Sequence, residues 1–156
     1  MKLGEAFPPG LAIQITDQNI KRGLVVRDHL QAMKPPKIKR FVLVGLDVAS
    51  MTAKIAIINS KIPPFAVGKP RLESLQIPLS PVGYAELVNH DSFINCMEVI
   101  SVDFQKLRKR LYDQDAQILG HLSDADTKLV ISKLLSAKSI SKNDKTVLQS
   151  PINLPE

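Results

Sequence analysis

Two stretches decide the fold, Phe41-Val42-Leu43-Val44-Gly45-Leu46 and Lys54-Ile55-Ala56-Ile57-Ile58-Asn59. Both are short and rich in β-branched and other apolar residues, which is typical of strands that are buried on both faces. The polar and small residues from 47 to 52 form a short connection between them. The sequence therefore predicts a β-hairpin near the centre of the core.

Shorter strand patterns lie on both sides of this hairpin. Proline cannot donate a hydrogen bond to a β-ladder, so the segment that contains Pro78 is predicted to lie at a sheet edge. The segments that fit strands are Leu11–Ile15, Leu75–Leu79, the long run Phe93–Ile100 and Ile118–Leu122, while Leu24–Val26 fits either a strand or a helical turn.

The helix signals lie mainly in the C-terminal part of the chain. Ser123-Asp124-Ala125-Asp126 combines a capping serine with two acidic residues in the first turn, and an apolar stripe of helical spacing follows. Shorter helices are predicted at Val82–Val88, after Ser80-Pro81, and at Asn143–Gln149, whereas residues 103–112 fit either a helix or a strand. The pattern predicts a mostly-β single domain with C-terminal helices, and by itself it fits a small barrel or a general α+β domain.

The bulk composition limits the class of protein. The chain has 156 residues, of which 44% are hydrophobic and 23% are charged, so we expect one globular domain. A single cysteine, Cys96, cannot form an internal disulfide or a multi-cysteine zinc site, and its apolar strand predicts a buried, unreactive thiol. No stretch approaches 18 apolar residues and residues 1–10 hold no signal-peptide pattern, so a cytoplasmic protein without a membrane partner is expected. The formal net charge of +6 favours a polyanion or an acidic protein as the partner.

Four ordered motifs resemble the PemK/MazF family of toxins. Pro9-Gly10-Leu11-Ala12-Ile13 is similar to the family's opening strand, and Lys39-Arg40-Phe41-Val42-Leu43-Val44 is similar to its "KRPALVL" strand. The stretch from Asp91 to Asp103 resembles a later strand with a basic segment after it, and Gly120-His121-Leu122-Ser123-Asp124 resembles the "GxLSD" start of the C-terminal helix.

The resemblance implies both a fold and an activity. It implies an SH3-like small barrel over residues 9–149. The residues themselves predict an N-terminal arm at 1–8 and, from its two prolines, a flexible tail at 150–156. It also implies a toxin-like, metal-independent endoribonuclease of a toxin-antitoxin system that binds RNA, forms a homodimer and is neutralised by an acidic antitoxin. No cofactor and no metal site are expected.

The resemblance and the chemistry of RNA cleavage together select the candidate site. Arginine can bind two phosphate oxygens and a hydroxyl can hold a non-bridging oxygen, so Arg40, which matches the "KRP" arginine, and Ser60, which matches the family's hydroxyl residue, are the predicted catalytic pair. The structural alternatives are an exposed arginine that begins a strand and a turn-forming serine. Predicted nucleic-acid-binding residues are Lys39, Lys61, Lys69 and Arg71, and a solvated loop is the alternative for the last three.

His90 and Asp91 form a possible acid–base pair, because histidine titrates near neutrality. Adjacent strand residues point to opposite faces, so the alternative is an exposed histidine beside a turn-capping aspartate. The basic run from Lys106 to Arg110 could contact RNA or form a solvated face.

Two departures from the family pattern support a second hypothesis. No proline follows Arg40, and Ile100 stands where the family has the arginine of its "QIRT" motif. A non-catalytic module that binds nucleic acid or protein on the same barrel is therefore the alternative function. A different enzyme that uses His90 and Asp91 in a loop cleft is a third hypothesis, which rests on their adjacency alone.

Overall fold

The computed structural model of this protein describes residues 9–156. In this part of the chain seven strands form one antiparallel sheet. The strands are β1 (Leu24–Leu30), β2 (Lys37–Asp47), β3 (Thr52–Asn59), β4 (Gln76–Leu79), β5 (Ser92–Asn95), β6 (Ile100–Asp103) and β7 (Gln117–His121). Their order in the sheet is β4-β5-β3-β2-β1-β7, and β6 pairs with the same edge of β3 as β5. The predicted β-rich domain is confirmed, and the strand that contains Pro78 lies at a sheet edge as predicted.

Five helices accompany the strands within residues 9–156. They are α1 (Pro9–Asn19), the single turn α2 (Pro70–Glu73), α3 (Phe104–Tyr112), α4 (Asp124–Ser136) and α5 (Lys142–Gln149), with a 3₁₀ turn at Pro64–Ala66. Ser123 caps α4 by accepting a hydrogen bond from the Asp126 amide, as the sequence predicts, and α5 confirms the second C-terminal helix. No helix of the described residues is long and apolar enough to cross a membrane.

The central hairpin is β2 paired with β3, from Arg40 opposite Ile58 to Asp47 opposite Thr52. The side chains from Phe41 to Leu46 are all buried, although neighbours on a strand point to opposite faces. Such a continuous apolar run is expected in a strand that is covered on both faces of the sheet. The predicted hairpin is confirmed.

The hydrophobic core accordingly has two parts, one on each face of the sheet. One part includes Val42, Ala56 and Ile58 from the hairpin and is covered by the apolar stripe of α4. The other includes Phe41, Leu43 and Ile57 and is covered by Phe104, Leu107 and Leu111 of α3. We call these the α4 face and the α3 face.

Helix α5 approaches the sheet closely at Gly45. A β-carbon at this position would lie 3.2 Å from Cγ1 of Val147 and 3.5 Å from Cδ2 of Leu148. The pairing of β2 with β3 also shifts by one residue between Leu43 and Gly45, which is a β-bulge. The missing side chain therefore lets α5 pack against a bend in β2.

The strand predicted at Leu11–Ile15 is wrong, because these residues lie within α1. Leu11 and Ile13, the expected inward residues, are 39% and 42% exposed. The buried residues are instead Ala12, Thr16 and Ile20, which recur at helical spacing. This correction also removes the strand from the first motif that resembles the PemK/MazF family, Pro9–Ile13.

The single long strand predicted at Phe93–Ile100 is also wrong. Two short strands, β5 and β6, lie along the same edge of β3, with Ile94 opposite Ile58 and Ile100 opposite Ile55. Between them the Asn95 side chain accepts a hydrogen bond from the Met97 amide, so the chain turns and the ladder is interrupted.

No helix forms at Val82–Val88, where the sequence predicts one. Gly83 has a φ of +100°, and Val82 is 91% exposed. The segment is instead a series of turns, and the Tyr84 hydroxyl joins it to Ser123 and Asp126 at the start of α4.

The C-terminal segment 150–156, which the sequence predicts to be flexible, has no regular secondary structure but makes specific contacts. Ile152 and Leu154 pack against the core of the α3 face. The Arg108 guanidinium donates a hydrogen bond of 2.7 Å to the Pro155 carbonyl, and Arg22 donates one of 2.6 Å to the Ser150 carbonyl.

Candidate functional site

The candidate site lies at the end of the sheet where β2 begins and β3 ends. Arg40 lies opposite Ile58 of β3, which in turn lies opposite Ile94 of β5. Ser60 directly follows β3, and His90 directly precedes the turn into β5. The fold thus brings Arg40, Ser60 and His90, which come from three separate stretches of sequence, to one end of the sheet.

These residues surround a depression of about 140 Å³. It is lined by Arg40, Ser60, His90 and Ser92, together with Ile38, Lys39, Ile58 and Asn59. Because strand residues alternate and Val42 belongs to the core of the α4 face, the Arg40 side chain projects on that face, and so do the side chains at 58 and 94. The depression therefore lies on the α4 face of the sheet, just beyond the edge of the hydrophobic core on that face.

The Arg40 guanidinium is incompletely bonded. Its Nε atom is buried and has no hydrogen-bond partner within residues 9–156. A buried donor without an acceptor costs free energy, and most such groups in native proteins have a partner. An anionic oxygen in the depression would supply one, since guanidinium groups bind phosphate oxygens well.

His90 is oriented by the residues that follow it. Its Nδ1 atom lies 3.1 Å from the Asp91 carbonyl and 3.2 Å from Oγ of Ser92, which is buried and donates a hydrogen bond of 2.9 Å to the His90 carbonyl. A carbonyl oxygen only accepts, so the contact with Asp91 requires the proton on Nδ1. Nε2 is then the atom that can accept a proton.

Asp91 contributes its backbone rather than its side chain. The Asp91 side chain is exposed, and no hydrogen bond within residues 9–156 joins its carboxylate to the His90 ring. The second contact of the ring is with Ser92, which sequence reasoning missed. His90 lies in a bend before β5 begins at Ser92, so strand alternation gives no signal for this contact.

Lys39 and Lys61 line a second depression, of about 270 Å³, with Asn59, Ser60 and Ile62 to Pro64. Alternation directs the Lys39 side chain to the α3 face, opposite to that of Arg40. Its ammonium group donates a hydrogen bond of 3.0 Å to Oδ1 of Asn59, and burial and then the charge of Lys37 lower the pKa of Lys39. Ser60 lines both depressions and connects them.

Lys69 and Arg71, the remaining predicted nucleic-acid-binding residues, lie apart from both depressions. Arg71 belongs to the short helix α2, and Lys69 immediately precedes that helix. Both side chains are exposed, and neither lines the depression at Arg40 or the one at Lys61. The structure does not bring them together with Arg40 and Ser60.

Most of the basic run on α3 is paired within the molecule. Arg108 bonds to Asp17, Arg110 to Asp28, and Lys109 to Asp113. The interpretation of this run as an RNA contact loses support, because these cations already have acidic partners.

Within residues 9–156, neither the Cys96 thiol nor the side chains that commonly bind metals form a further candidate site. Burial raises the pKa of the Cys96 thiol to about 12, so the protonated thiol prevails at neutral pH. Residues 9–156 contain no group of three or more His, Cys, Asp or Glu side chains arranged to hold a metal ion.

No protein-family model matches the sequence, and no curated protein is significantly similar to it.

Proposed function

We propose that this protein is a metal-independent endoribonuclease of the PemK/MazF type, which acts as the toxin of a toxin-antitoxin system. The observation that carries the proposal is the convergence of Arg40, Ser60 and His90 on one depression, with the Nε atom of Arg40 buried and without a partner. These are the residue types that phosphodiester cleavage by an internal nucleophile requires.

The proposed reaction uses the 2′-hydroxyl of the RNA as the nucleophile. Nε2 of His90 accepts the 2′-hydroxyl proton while the 2′ oxygen bonds to the adjacent phosphorus. The bond from phosphorus to the 5′ oxygen breaks, and the imidazolium of His90 returns the proton to that oxygen. The products are a 2′,3′-cyclic phosphate and a 5′-hydroxyl end, so the atoms and protons balance without a metal ion.

Arg40 and Ser60 stabilise the charge that develops on the phosphate. The planar guanidinium of Arg40 can bind two non-bridging oxygens, and the Ser60 hydroxyl can donate a hydrogen bond to one of them. Removal of a group that stabilises transition-state charge typically slows a reaction by about 10²–10³-fold.

The proposal also covers the barrel fold, the oligomeric state, the cellular location and the protein partner. The β-bulges between Leu43 and Gly45 in β2 and between Val25 and Val26 in β1 support a strongly curved sheet of the SH3-like barrel kind. The resemblance to the PemK/MazF family implies a homodimer and a cytoplasmic location, and both are part of the proposal. The net charge of +6 supports an acidic antitoxin as the protein partner.

A second candidate function is a non-catalytic RNA-binding module. The observations that favour it are the helix α1 in place of the family's opening strand and the absence of a bond between the Asp91 carboxylate and the His90 ring. Such a module would bind RNA through Arg40 and leave it intact.

Controlled expression tests the toxin proposal. Induction of the wild-type protein without a neighbouring antitoxin gene is expected to arrest bacterial growth, and the Arg40→Ala variant, at the same soluble level, is expected to be tolerated. Normal growth with abundant soluble wild-type protein would refute a toxin.

A further inference from the structure

Arg27 lies beside Arg40 in the sheet. The two arginines are directly paired on the neighbouring strands β1 and β2, and Arg27 also pairs with Gln117 on β7. Directly paired residues of antiparallel strands project on the same face, about 4.5–5.5 Å apart at their β-carbons. Arg27 therefore lies on the α4 face, next to the depression at Arg40.

These two positive charges are not balanced by the protein. Within residues 9–156 neither guanidinium forms an ion pair, and the hydrogen bond from Arg27 to Oε1 of Gln117 is long, at 3.4 Å. Like charges that lie directly opposite each other on a sheet destabilise the fold.

The charges on the α3 face of the same two strands are different. Asp28, the next residue of β1, lies opposite Lys39, but the Lys39 ammonium group bonds to Asn59. Asp28 is instead bound by Arg110, with distances of 2.7–3.2 Å to its two carboxylate oxygens. The charged residue next to Arg27 on β1 thus has a partner of opposite charge, whereas Arg27 and Arg40 form no ion pair within residues 9–156.

We infer that Arg27 is a second phosphate-binding residue of the proposed ribonuclease, and that it holds the RNA phosphate next to the one bound at Arg40. The inference rests on the proposed function. Its consequence is a path for the RNA backbone across the sheet. The path runs from Ser60 at the end of β3, through Arg40 on β2 and Arg27 on β1, toward Gln117 on β7. Neighbouring strands lie about 4.8 Å apart at the backbone, and two long arginine side chains that diverge from them can reach two successive phosphates of the RNA.

Binding of an RNA that cannot be cleaved separates this inference from catalysis. The probe is a fluorescent 12-nucleotide RNA with 2′-O-methyl groups throughout, which lacks the attacking hydroxyl, and the readout is anisotropy over a series of salt concentrations. Arg27→Gln is expected to weaken binding by about tenfold and to reduce the salt slope by about 0.7, the value for one phosphate contact on a single strand. Arg27→Lys keeps the charge and is expected to keep the slope with a smaller loss of affinity.

Lys106→Gln is the matched control, since it removes one exposed positive charge from α3, on the other face of the sheet. It is expected to bind RNA like the wild type. The thermal midpoint of Arg27→Gln without RNA is expected to equal or exceed that of the wild type, because a like-charge contact is removed. A residue that merely supports the fold through Gln117 would instead lower the midpoint.

Three outcomes would overturn the inference. The first is binding by Arg27→Gln with unchanged affinity and slope, and the second is an equal loss in Lys106→Gln. The third is a thermal midpoint of Arg27→Gln so far below that of the wild type that partial unfolding of the variant explains its weaker RNA binding. If the wild type cuts RNA and Arg27→Gln binds normally, Arg27 alone is excluded, whereas failure of the wild type to bind RNA contradicts the proposed function as well.

Discussion

The Arg108 guanidinium of α3 donates two hydrogen bonds to the Asp17 carboxylate of α1, with distances of 3.1 and 2.8 Å. Tyr112 donates a third hydrogen bond to the same carboxylate, at 2.7 Å, and Arg108 also bonds to the carbonyl of Pro155. The partly buried side chain of Arg108 therefore connects α3 with α1 and with the C-terminal segment.

Arg108→Ala is expected to lower the free energy of unfolding by about 2–3 kcal/mol, because Asp17 would keep its charge in a partly buried place with fewer partners. Denaturant titration followed by circular dichroism measures the change. Lys109→Ala breaks an exposed ion pair with Asp113 on the same helix and serves as the matched control. The control is expected to change stability by less than about 0.5 kcal/mol, and equal losses in the two variants would contradict the account.

Asp17 is also expected to make the stability depend on pH. Burial raises the pKa of its carboxyl, but the hydrogen bonds from Arg108 and Tyr112 and the charge of Arg108 outweigh burial and hold this pKa below 3.8. A depressed pKa in the folded state contributes stability above the unfolded-state value of about 3.9, and the contribution is lost as the pH falls through the folded value. Asp17→Asn is therefore expected to be less stable than the wild type at pH 7, and the difference is expected to shrink as the pH falls through the lowered pKa of Asp17.

Denaturant titrations of the wild type and of Asp17→Asn, repeated from pH 7 down to acidic pH, measure the difference in their free energies of unfolding. A difference between them that stays constant down to the lowest pH would show that the charge of Asp17 has no role.

Gly45→Val is expected to lower the free energy of unfolding by about 1–3 kcal/mol, since the new side chain would enter the space of Val147 and Leu148 on α5. Gly10→Ala, where a β-carbon meets nothing within 4 Å, is the control and is expected to be neutral or slightly stabilising. Thermal unfolding compares the two. A Gly45→Val protein as stable as the wild type would mean that α5 does not require the close approach.

His90→Gln is expected to reduce the rate of RNA cleavage by about 10²–10⁴-fold, because the amide cannot accept the 2′-hydroxyl proton. Asp91→Asn is the matched control, since only the backbone of Asp91 contacts the ring. An equal loss of rate in Asp91→Asn would show that the carboxylate acts in the reaction and would contradict the role assigned to its carbonyl.

The central part of the fold was predictable because its sequence signal is strong and local. The apolar runs at 41–46 and 53–58 leave few alternatives to a buried hairpin, and the Ser123 cap marks the start of α4. The hairpin also explains why Arg40 and Ser60 could be predicted to meet, since they lie near its open end.

The errors arose where short patterns fit more than one structure. Five residues of alternation at Leu11–Ile15 cannot exclude a helix, and the helical spacing of Ala12, Thr16 and Ile20 becomes visible only over a longer window. The interruption between β5 and β6 depends on a hydrogen bond that the Asn95 side chain accepts from the Met97 amide, which no periodicity reveals. The pairing of Arg27 with Arg40 could not be predicted, because it depends on the register of β1 with β2.

The most direct test of the central claim is cleavage of a long RNA of mixed sequence by the purified protein in EDTA, with Arg40→Ala and Arg71→Ala alongside. We predict cuts at a short recurrent sequence by the wild type and by Arg71→Ala, whose arginine lies outside both depressions. Arg40→Ala, folded as judged by circular dichroism, is predicted to lose the cuts. Intact RNA after incubation with folded wild-type protein, or equal cutting by Arg40→Ala, would contradict a ribonuclease site at Arg40.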